Sequence, residues 1–394
     1  MKKEIVFIIK VMLGGGAERV ISLLSRAAAD KGYSVTVILT HQSKNDAVLH
    51  DGMNGIEIVS LPDETENVSV PAVIPKIIML WARLLGKLGL KEKSSVLKYK
   101  SRNYTLIKAL RGYFKAHPNC SAVAFLYDSI FLSLLAKRNS NRLIISERGD
   151  PAQSLGNATT MAFIKCEFCK ADGFVFQSPD VQKWYEENSP VRGKVIFNPV
   201  KSDLPEAFDG ERKKRIVNFC RVSAQKNLIV LVDAFAEFHK DFPDYELDII
   251  GDPVGNDAEG YIEKVNAHIS ASGLDKYIHV LPSRKDIHNI IRDYAMFVSS
   301  SDFEGMSNSM LEAMAIGLPC VCTDCPAGGA RAVIKDGENG LLTPVGDSHA
   351  LYLAMKKVAE NPEFAKQLSA NSVLIKENQS VKKITEEWMR QING

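Results

Sequence analysis

Several things are missing from this chain, and each absence excludes something. No apolar run approaches the ~20 residues that a membrane span needs, so the protein reads as soluble or peripheral. Nor does the opening read as a secretory leader. The opening MKKEIVFIIK is basic and then apolar, but the run stops at Lys10 and glycines follow at 14–16, which predicts a first β-strand. Cysteines number only seven, and an odd count argues against a disulfide framework and for a reducing, cytoplasmic compartment. Cys166 with Cys169, and the cluster Cys320, Cys322 and Cys325, lie in apolar surroundings about 150 residues apart, so they are read as core and no metal site is expected. Lys plus Arg (49) nearly balances Asp plus Glu (47), for a net charge of +2, and no nucleic-acid partner is expected. Tandem repeats and low-complexity segments are absent as well.

What is present is a succession of short Val/Ile-rich runs between amphipathic segments, the pattern of parallel sheets in an α/β protein. In the first half the predicted strands are 5–9, 35–39, 56–60, 122–126, 143–146 and 174–176. In the second they are 216–220, 247–250, 278–281, 297–299 and 319–322. At 394 residues two domains of about 200 each are natural, each a doubly wound Rossmann-like fold. The predicted division is 1–198, then 199–378, with 379–394 a C-terminal helix packing back on the first domain. Phe197-Asn198-Pro199-Val200 and the polar stretch after it read as the hinge. Two such domains facing one another would turn the C-terminal ends of both sheets toward a shared cleft.

One region breaks the rhythm. About residues 70–117 form a basic helical insertion, in which Lys76, Arg83, Lys87, Lys91, Lys93, Lys98, Lys100, Arg102, Lys108, Arg111 and Lys115 face the single acid Glu92. Apolar residues including Ile77, Leu80, Trp81, Leu84 and Leu88 interleave at helical spacing. Such a helix lies on anionic lipid or grips phosphates, and the alternative is a solvated surface face.

Candidate chemistry clusters at strand ends. Gly14-Gly15-Gly16-Ala17-Glu18-Arg19 opens a helix after the first strand, where free N–H groups and the helix dipole favour an anion. A nicotinamide-type turn would read GxGxxG with an acid ending the second strand, but that strand ends Leu39-Thr40-His41. In the second half Arg221 and Lys226 follow a strand, a pair of cations able to neutralise a departing diphosphate; Arg221 could equally cap the sheet. The most specific segment is Phe303-Glu304-Gly305-Met306-Ser307-Asn308-Ser309-Met310-Leu311-Glu312. Its carboxylates are too far apart for an i,i+4 surface pair, and a helix N-terminus between them suits a phosphate. Glu304 could reach the hydroxyls of a sugar and Glu312 a ribose diol; two solvated glutamates are the bland alternative.

These segments together resemble glycosyltransferase family 4, enzymes of the two-domain GT-B fold. The matching features, in order, are Gly15 to Arg19, Val175-Phe176-Gln177-Ser178 with Asn198-Pro199, Arg221 to Asn227, the pair Glu304 and Glu312 in the pattern E-x7-E, and Gly337 to Leu342. The resemblance implies a retaining transferase that uses a nucleotide diphosphate sugar, by resemblance a UDP-sugar. Arg221 and Lys226 would bind the diphosphate with Gly15, Gly16 and the Gly305, Met306, Ser307 and Asn308 loop. Glu312 would bind the ribose, Glu304 the transferred sugar, and backbone around Ser283 and Arg284 the base. No cofactor is implied; the sequence has no D-x-D triplet for a metal, and the two cations would serve instead.

Where many relatives carry a cleft histidine this chain reads Glu147-Arg148-Gly149-Asp150-Pro151, as in some bacterial surface-glycan transferases. Arg148 is therefore expected in the cleft, orienting the donor sugar or an anionic acceptor, since arginine cannot act as a base. The first domain would hold the acceptor. Its basic insertion, with Lys87, Lys91, Lys93 and Lys98, points to a lipid-linked glycan and a peripheral position on the inner face of a membrane. A soluble acceptor is the alternative. An epimerase would lack E-x7-E, a glycan phosphorylase would be far longer, and a non-catalytic sugar- or nucleotide-binding module would not need the full diphosphate grip.

Overall fold

A computed structural model describes residues 3–47, 53–65, 68–253 and 258–394. It divides into two compact units, Met1–Pro199 with Val381–Gly394, and Val200–Ser380.

The first unit is built on β1 (Glu4–Ile9), β2 (Ser34–Leu39), β3 (Glu57–Ser60), β4 (Ser121–Phe125), β5 (Arg142–Ser146), β6 (Gly173–Phe176) and β7 (Lys194–Val195). Their order across the sheet is β3-β2-β1-β4-β5-β6-β7, every pairing parallel. Parallel strands covered on both faces must be apolar on both faces, and Ile5, Val6, Phe7, Ile8 and Ile9 are all fully buried. The helices are α1 (Gly16–Asp30), α2 (Leu61–Thr65), α3 (Val73–Lys87), α4 (Lys91–Arg102), α5 (Tyr104–Ala116), α6 (Tyr127–Ala136), α7 (Ala158–Cys166) and α8 (Pro179–Asn188). The basic insertion is thus three consecutive helices, α3 to α5, lying between β3 and β4.

The second unit has β8 (Lys213–Phe219), β9 (Glu246–Ile250), β10 (Ile278–Leu281), β11 (Tyr294–Ser299), β12 (Cys320–Thr323) and β13 (Leu341–Thr343) in the order β10-β9-β8-β11-β12-β13, again parallel. Its helices are α9 (Leu228–Asp241), α10 (Ala258–Ser272), α11 (Ile287–Ile291), α12 (Asn308–Ala315), α13 (Ser348–Glu360), α14 (Pro362–Ser372) and α15 (Ile375–Asn378). The core gathers Phe235, Phe238, Val265, Met296, Val298 and Leu351 around the sheet. Consecutive strands run outward from β8 in one direction and resume at β11 on its other side. The loops leaving β8 and β11 therefore lie side by side at the switch of direction, where open α/β sheets bind ligands.

The last helix, α16 (Val381–Asn393), belongs to the first unit. Its Ile384, Trp388, Met389 and Ile392 are buried in that unit's core, and Trp388 stacks on Phe125 with ring centroids 5.6 Å apart. Among the described residues no helix is long and apolar enough to cross a membrane.

Candidate active site

In the second unit the loop after β8 and the loop after β11 are laced together. The Asp302 N–H donates to Gln225 O (2.9 Å), Gln225 Nε2 to Phe303 O (2.7 Å), and Ser300 Oγ to Lys226 O (2.9 Å). Asn227 takes the left-handed conformation, φ 41° and ψ 53°, which asparagine tolerates better than most residues. Its Nδ2 is held by Asp302 Oδ1 at 2.7 Å. This turn aims Lys226 inward, where its ammonium forms an ion pair with Glu304, and Ser301 Oγ donates to the same carboxylate oxygen at 3.0 Å.

The pair is largely shielded, with side-chain exposures of 11% for Lys226 and 17% for Glu304. Burial works against the Lys226 charge, but Glu304 outweighs it, and the ammonium's pKa stands above the ordinary lysine value. Arg221 is close enough to oppose that rise slightly. Arg221 itself is exposed, and no side-chain hydrogen bond or ion pair ties it down among the described residues. One cation is thus locked in place and the other stays open to an incoming anion.

The loop past Glu304 is shaped from below. Gly329 approaches so closely that a Cβ there would lie 1.7 Å from Gly305 O, so that position admits only glycine while Gly305 and Met306 stay buried. Ser307 caps α12, its Oγ accepting the Met310 N–H at 3.4 Å. Glu312 follows inside α12, buried and bonded to His288 Nε2 on α11 at 2.8 Å. Their side chains are 5% and 8% exposed. Glu304 and Glu312 thus sit at opposite ends of one loop-helix junction, Glu304 held by Lys226 from the loop after β8 and Glu312 by His288 from α11.

Ser283 and Arg284 lie on the exposed loop after β10. The Ser283 N–H and hydroxyl are both engaged by Asp252, and Arg284 forms a two-pronged contact with Asp286, both arms at 3.0 Å. The Ser283 N–H is therefore engaged inside its own unit.

In the first unit two expected site residues already have partners of their own. Gly15 does cap α1, and its own N–H is taken. Glu18 Oε2 accepts from both Leu13 N and Gly15 N at 2.6 Å, so the helix supplies its own anion. Gly16, the first residue of α1, is exposed. Arg148 is buried at 8% exposure, with Nη1 donating to Ser146 Oγ at 3.1 Å, Nη2 bonded to Asn198, and its guanidinium 5.3 Å over the Phe125 ring. It ties the end of β5 to Asn198 within this unit. Burial pushes its pKa down to about 9, against the attraction of Glu147. Burial pushes the neighbouring Glu147 carboxyl up to about 7, although the Gly149 and Arg148 N–H groups favour its charge. Arg148 Nε, Asp150 Oδ2 and Gln177 Oε1 are buried with no partner among the described residues.

Lys87, Lys91, Lys93 and Lys98 are all exposed on α3 and α4. They stand far along the chain from the second unit's loops and form a separate surface of the first unit.

With this geometry, comparison with known proteins is informative. Residues 213–361 match the family model described as glycosyl transferases group 1. That match lies wholly within the second unit and takes in both loops and the two glutamates. The UDP-N-acetylglucosamine–peptide N-acetylglucosaminyltransferase GtfA subunit of Streptococcus pneumoniae is 26% identical over 235 residues, covering 57% of this chain and 45% of the relative. An N-acetylgalactosamine-N,N'-diacetylbacillosaminyl-diphospho-undecaprenol 4-alpha-N-acetylgalactosaminyltransferase of Campylobacter jejuni is 25% identical over 258 residues, covering 61% and 67%. The chain spans less than half the length of the first curated relatives it matches. Among solved structures, TarM superimposes with a TM-score of 0.78 at 12% identity over 100% of this chain and 99% of that one. Anabaena HepE in complex with UDP-glucose gives 0.76 at 18% over 99% of both. The fold is that of the GT-B glycosyltransferases.

Sequence reasoning had reached Arg221, Lys226, Glu304 and Glu312 but missed Gln225, Asn227, Ser300, Ser301, Asp302 and His288. The hydroxyl run Ser299-Ser300-Ser301 ending β11 was the one available signal for the lacing residues. His288 had none, because nothing in its local pattern refers to Glu312.

Proposed function

We propose that the protein is a retaining, metal-independent glycosyltransferase that moves a hexose or N-acetylhexosamine from a nucleotide diphosphate donor, a UDP-sugar, to a lipid-linked glycan. The observation that carries this reading is the buried Lys226–Glu304 pair beside the open Arg221, at the direction switch of a unit that matches a glycosyl transferase family. Lysine has three N–H donors, so Lys226 can keep Glu304 and still donate to a diphosphate oxygen. Two cations, one fixed and one open, would meet the charge that develops on the leaving diphosphate, the usual largest source of rate in such reactions. Glu304, immobilised by Lys226 and Ser301, would accept from the sugar's hydroxyls, and Glu312, oriented by His288, from the ribose.

HepE is described in complex with UDP-glucose, and the Campylobacter relative is named for an undecaprenol-diphosphate acceptor, which supports the donor and acceptor classes chosen here. We assign the acceptor to the first unit and place the protein on the cytoplasmic face of an anionic membrane, with Lys87, Lys91, Lys93 and Lys98 meeting lipid phosphates.

The test is release of UDP from a panel of UDP-sugars with polyprenyl-diphosphate-linked and soluble glycan acceptors, with and without EDTA, the product's anomeric configuration being read by NMR. Retained configuration and EDTA-insensitive turnover are expected. Donors that raise the melting temperature but are never consumed would instead mark a non-catalytic nucleotide-binding module.

A further inference from the structure

The helix α3 is built inside out. Of its fifteen residues only Ala82 is buried; Ile74, Ile78, Met79 and Leu85 are half-buried, and the other large apolar side chains face outward. Exposure is 66% for Leu80, 56% for Trp81 and 65% for Leu88, the residue that follows the helix, with Val73, Ile77 and Leu84 also exposed. At about 100° per residue these six fall within an arc of roughly 100°, one continuous stripe, and Ala82 lies on the far side of the helix. Lys76, Arg83 and Lys87, all exposed, occupy the arc directly beside the stripe, and the helix carries no acid.

The inner side is fastened to the fold. Ser94 Oγ donates to Ala82 O at 2.7 Å and Ser101 Oγ to Pro75 O at 2.8 Å, which bind α3 along α4. Tyr99 of α4 packs edge-on against Phe131 and Phe163, with centroids 5.5 and 5.2 Å away. The stripe is therefore held outward by a rigid base. A contiguous apolar surface of this kind is unusual on a monomeric soluble protein and calls for an occupant.

We propose that α3 is an in-plane membrane anchor, its apolar stripe inserted among the acyl chains of an anionic leaflet while Lys76, Arg83 and Lys87 meet the headgroup phosphates. This rests on the membrane-side acceptor of the proposed function and assigns the binding force to insertion rather than to charge alone. Charge complementarity selects the occupant. Glu92, the one acid of the sequence between Lys76 and Lys115, pairs with Lys165 at 3.5 Å, and the charged residues beside the stripe on α3 are all cations. A second copy of this chain docking stripe to stripe would set those cations against their own kind, whereas an anionic bilayer supplies both an apolar interior and opposite charge.

The experiment uses the full chain and vesicles of phosphatidylcholine containing phosphatidylglycerol. Wild type should co-sediment, with a fraction that persists at high salt, and Trp81 emission should shift to the blue and be quenched by acyl-chain bromolipids. A Trp81→Phe variant identifies that signal against Trp184 and Trp388. Replacing Ile77, Leu80 and Leu84 by serine keeps every cation and alters only exposed side chains, so the melting temperature should hold. Partition should nevertheless fall at least roughly tenfold, since three apolar contacts with the acyl region are lost. Vesicle binding equal to wild type in that variant, with unshifted Trp81 emission, overturns insertion and leaves charge-only binding. Loss of a wild-type dimer in the same variant overturns it in favour of a contact between copies. UDP release on the acceptor panel, with the polyprenyl-diphosphate-linked glycan supplied in detergent, is measured in parallel. If it is intact while wild type ignores vesicles, the anchor is refuted and the transferase reading stands; if it is absent, it is the transferase reading that fails.

Discussion

Replacing Lys226 by methionine separates the two roles that its position allows. The substitution keeps the stem and removes the ammonium, leaving the Glu304 carboxylate, 17% exposed, with the Ser301 hydroxyl as its remaining side-chain partner among the described residues. Stripping one member from a buried ion pair costs about 3 kcal/mol, because the remaining charge stays desolvated. Protonation relieves such a carboxylate, so the deficit should be largest at neutral and alkaline pH and shrink toward acid. Turnover should fall by about 10² or more, since one of two cations facing the departing diphosphate is gone. The double variant Lys226→Met with Glu304→Gln removes the orphaned charge and should recover most of the stability while turnover stays low. Urea denaturation across pH and single-turnover UDP release measure the two effects separately. Recovery of turnover together with stability in the double variant would refute the reasoning and make the pair a structural strut.

Two further outcomes follow from buried groups. Glu147, pushed up to about 7 from the ordinary 4.5, stays protonated in the folded chain where the unfolded chain has ionised, so wild type should lose stability as pH rises between those values. Glu147→Gln lacks that loss and should be the more stable by about 3 kcal/mol at pH 8 relative to its difference at pH 4, read by urea denaturation; a pH-independent difference would contradict it. His288→Ala leaves Glu312 without its 2.8 Å partner and should weaken donor binding by roughly tenfold with little change in kcat, checked by donor titration, and His288→Gln should restore part of it.

Much of the fold could be read from the chain because a parallel strand buried on both faces must be an apolar run. All eleven expected strands are present within a few residues of their predicted limits. The two that escaped are β7, only two residues long and half exposed, and β13, whose three residues sit behind a glycine-rich turn. The basic insertion was visible as composition, but its inverted packing was not. Helical spacing marks a stripe without saying which side meets the protein, and Ser94 and Ser101 on the next helix decided that. The glycine turn was legible, but its internal partner was not: the Gly15 N–H goes to Glu18, three residues on, a contact that the run of glycines does not show.

The candidate site shows where local spacing stops being informative. Glu304 and Glu312 belong to one short segment, so their separation and the helix start between them can be read directly. Their partners cannot, since Lys226 is 78 residues from Glu304 and His288 is 24 from Glu312. What brings them together is strand order. With β8 flanked by β9 on one side and β11 on the other, the loop bearing Lys226 and the loop bearing Glu304 must be neighbours, and the lacing through Gln225, Asn227, Ser300 and Asp302 then fixes their register. The two glutamates consequently differ in kind. Glu304 faces a lysine whose charge its own carboxylate sustains, and a second cation, Arg221, lies close to that lysine. Glu312 faces an imidazole inside the protein, a partner that orients a carboxylate without placing a permanent charge beside it. An anion-handling end and a hydroxyl-accepting end, set at the two ends of one short helix junction, form the asymmetric pair that a sugar nucleotide, with its diphosphate and its ribose diol, requires.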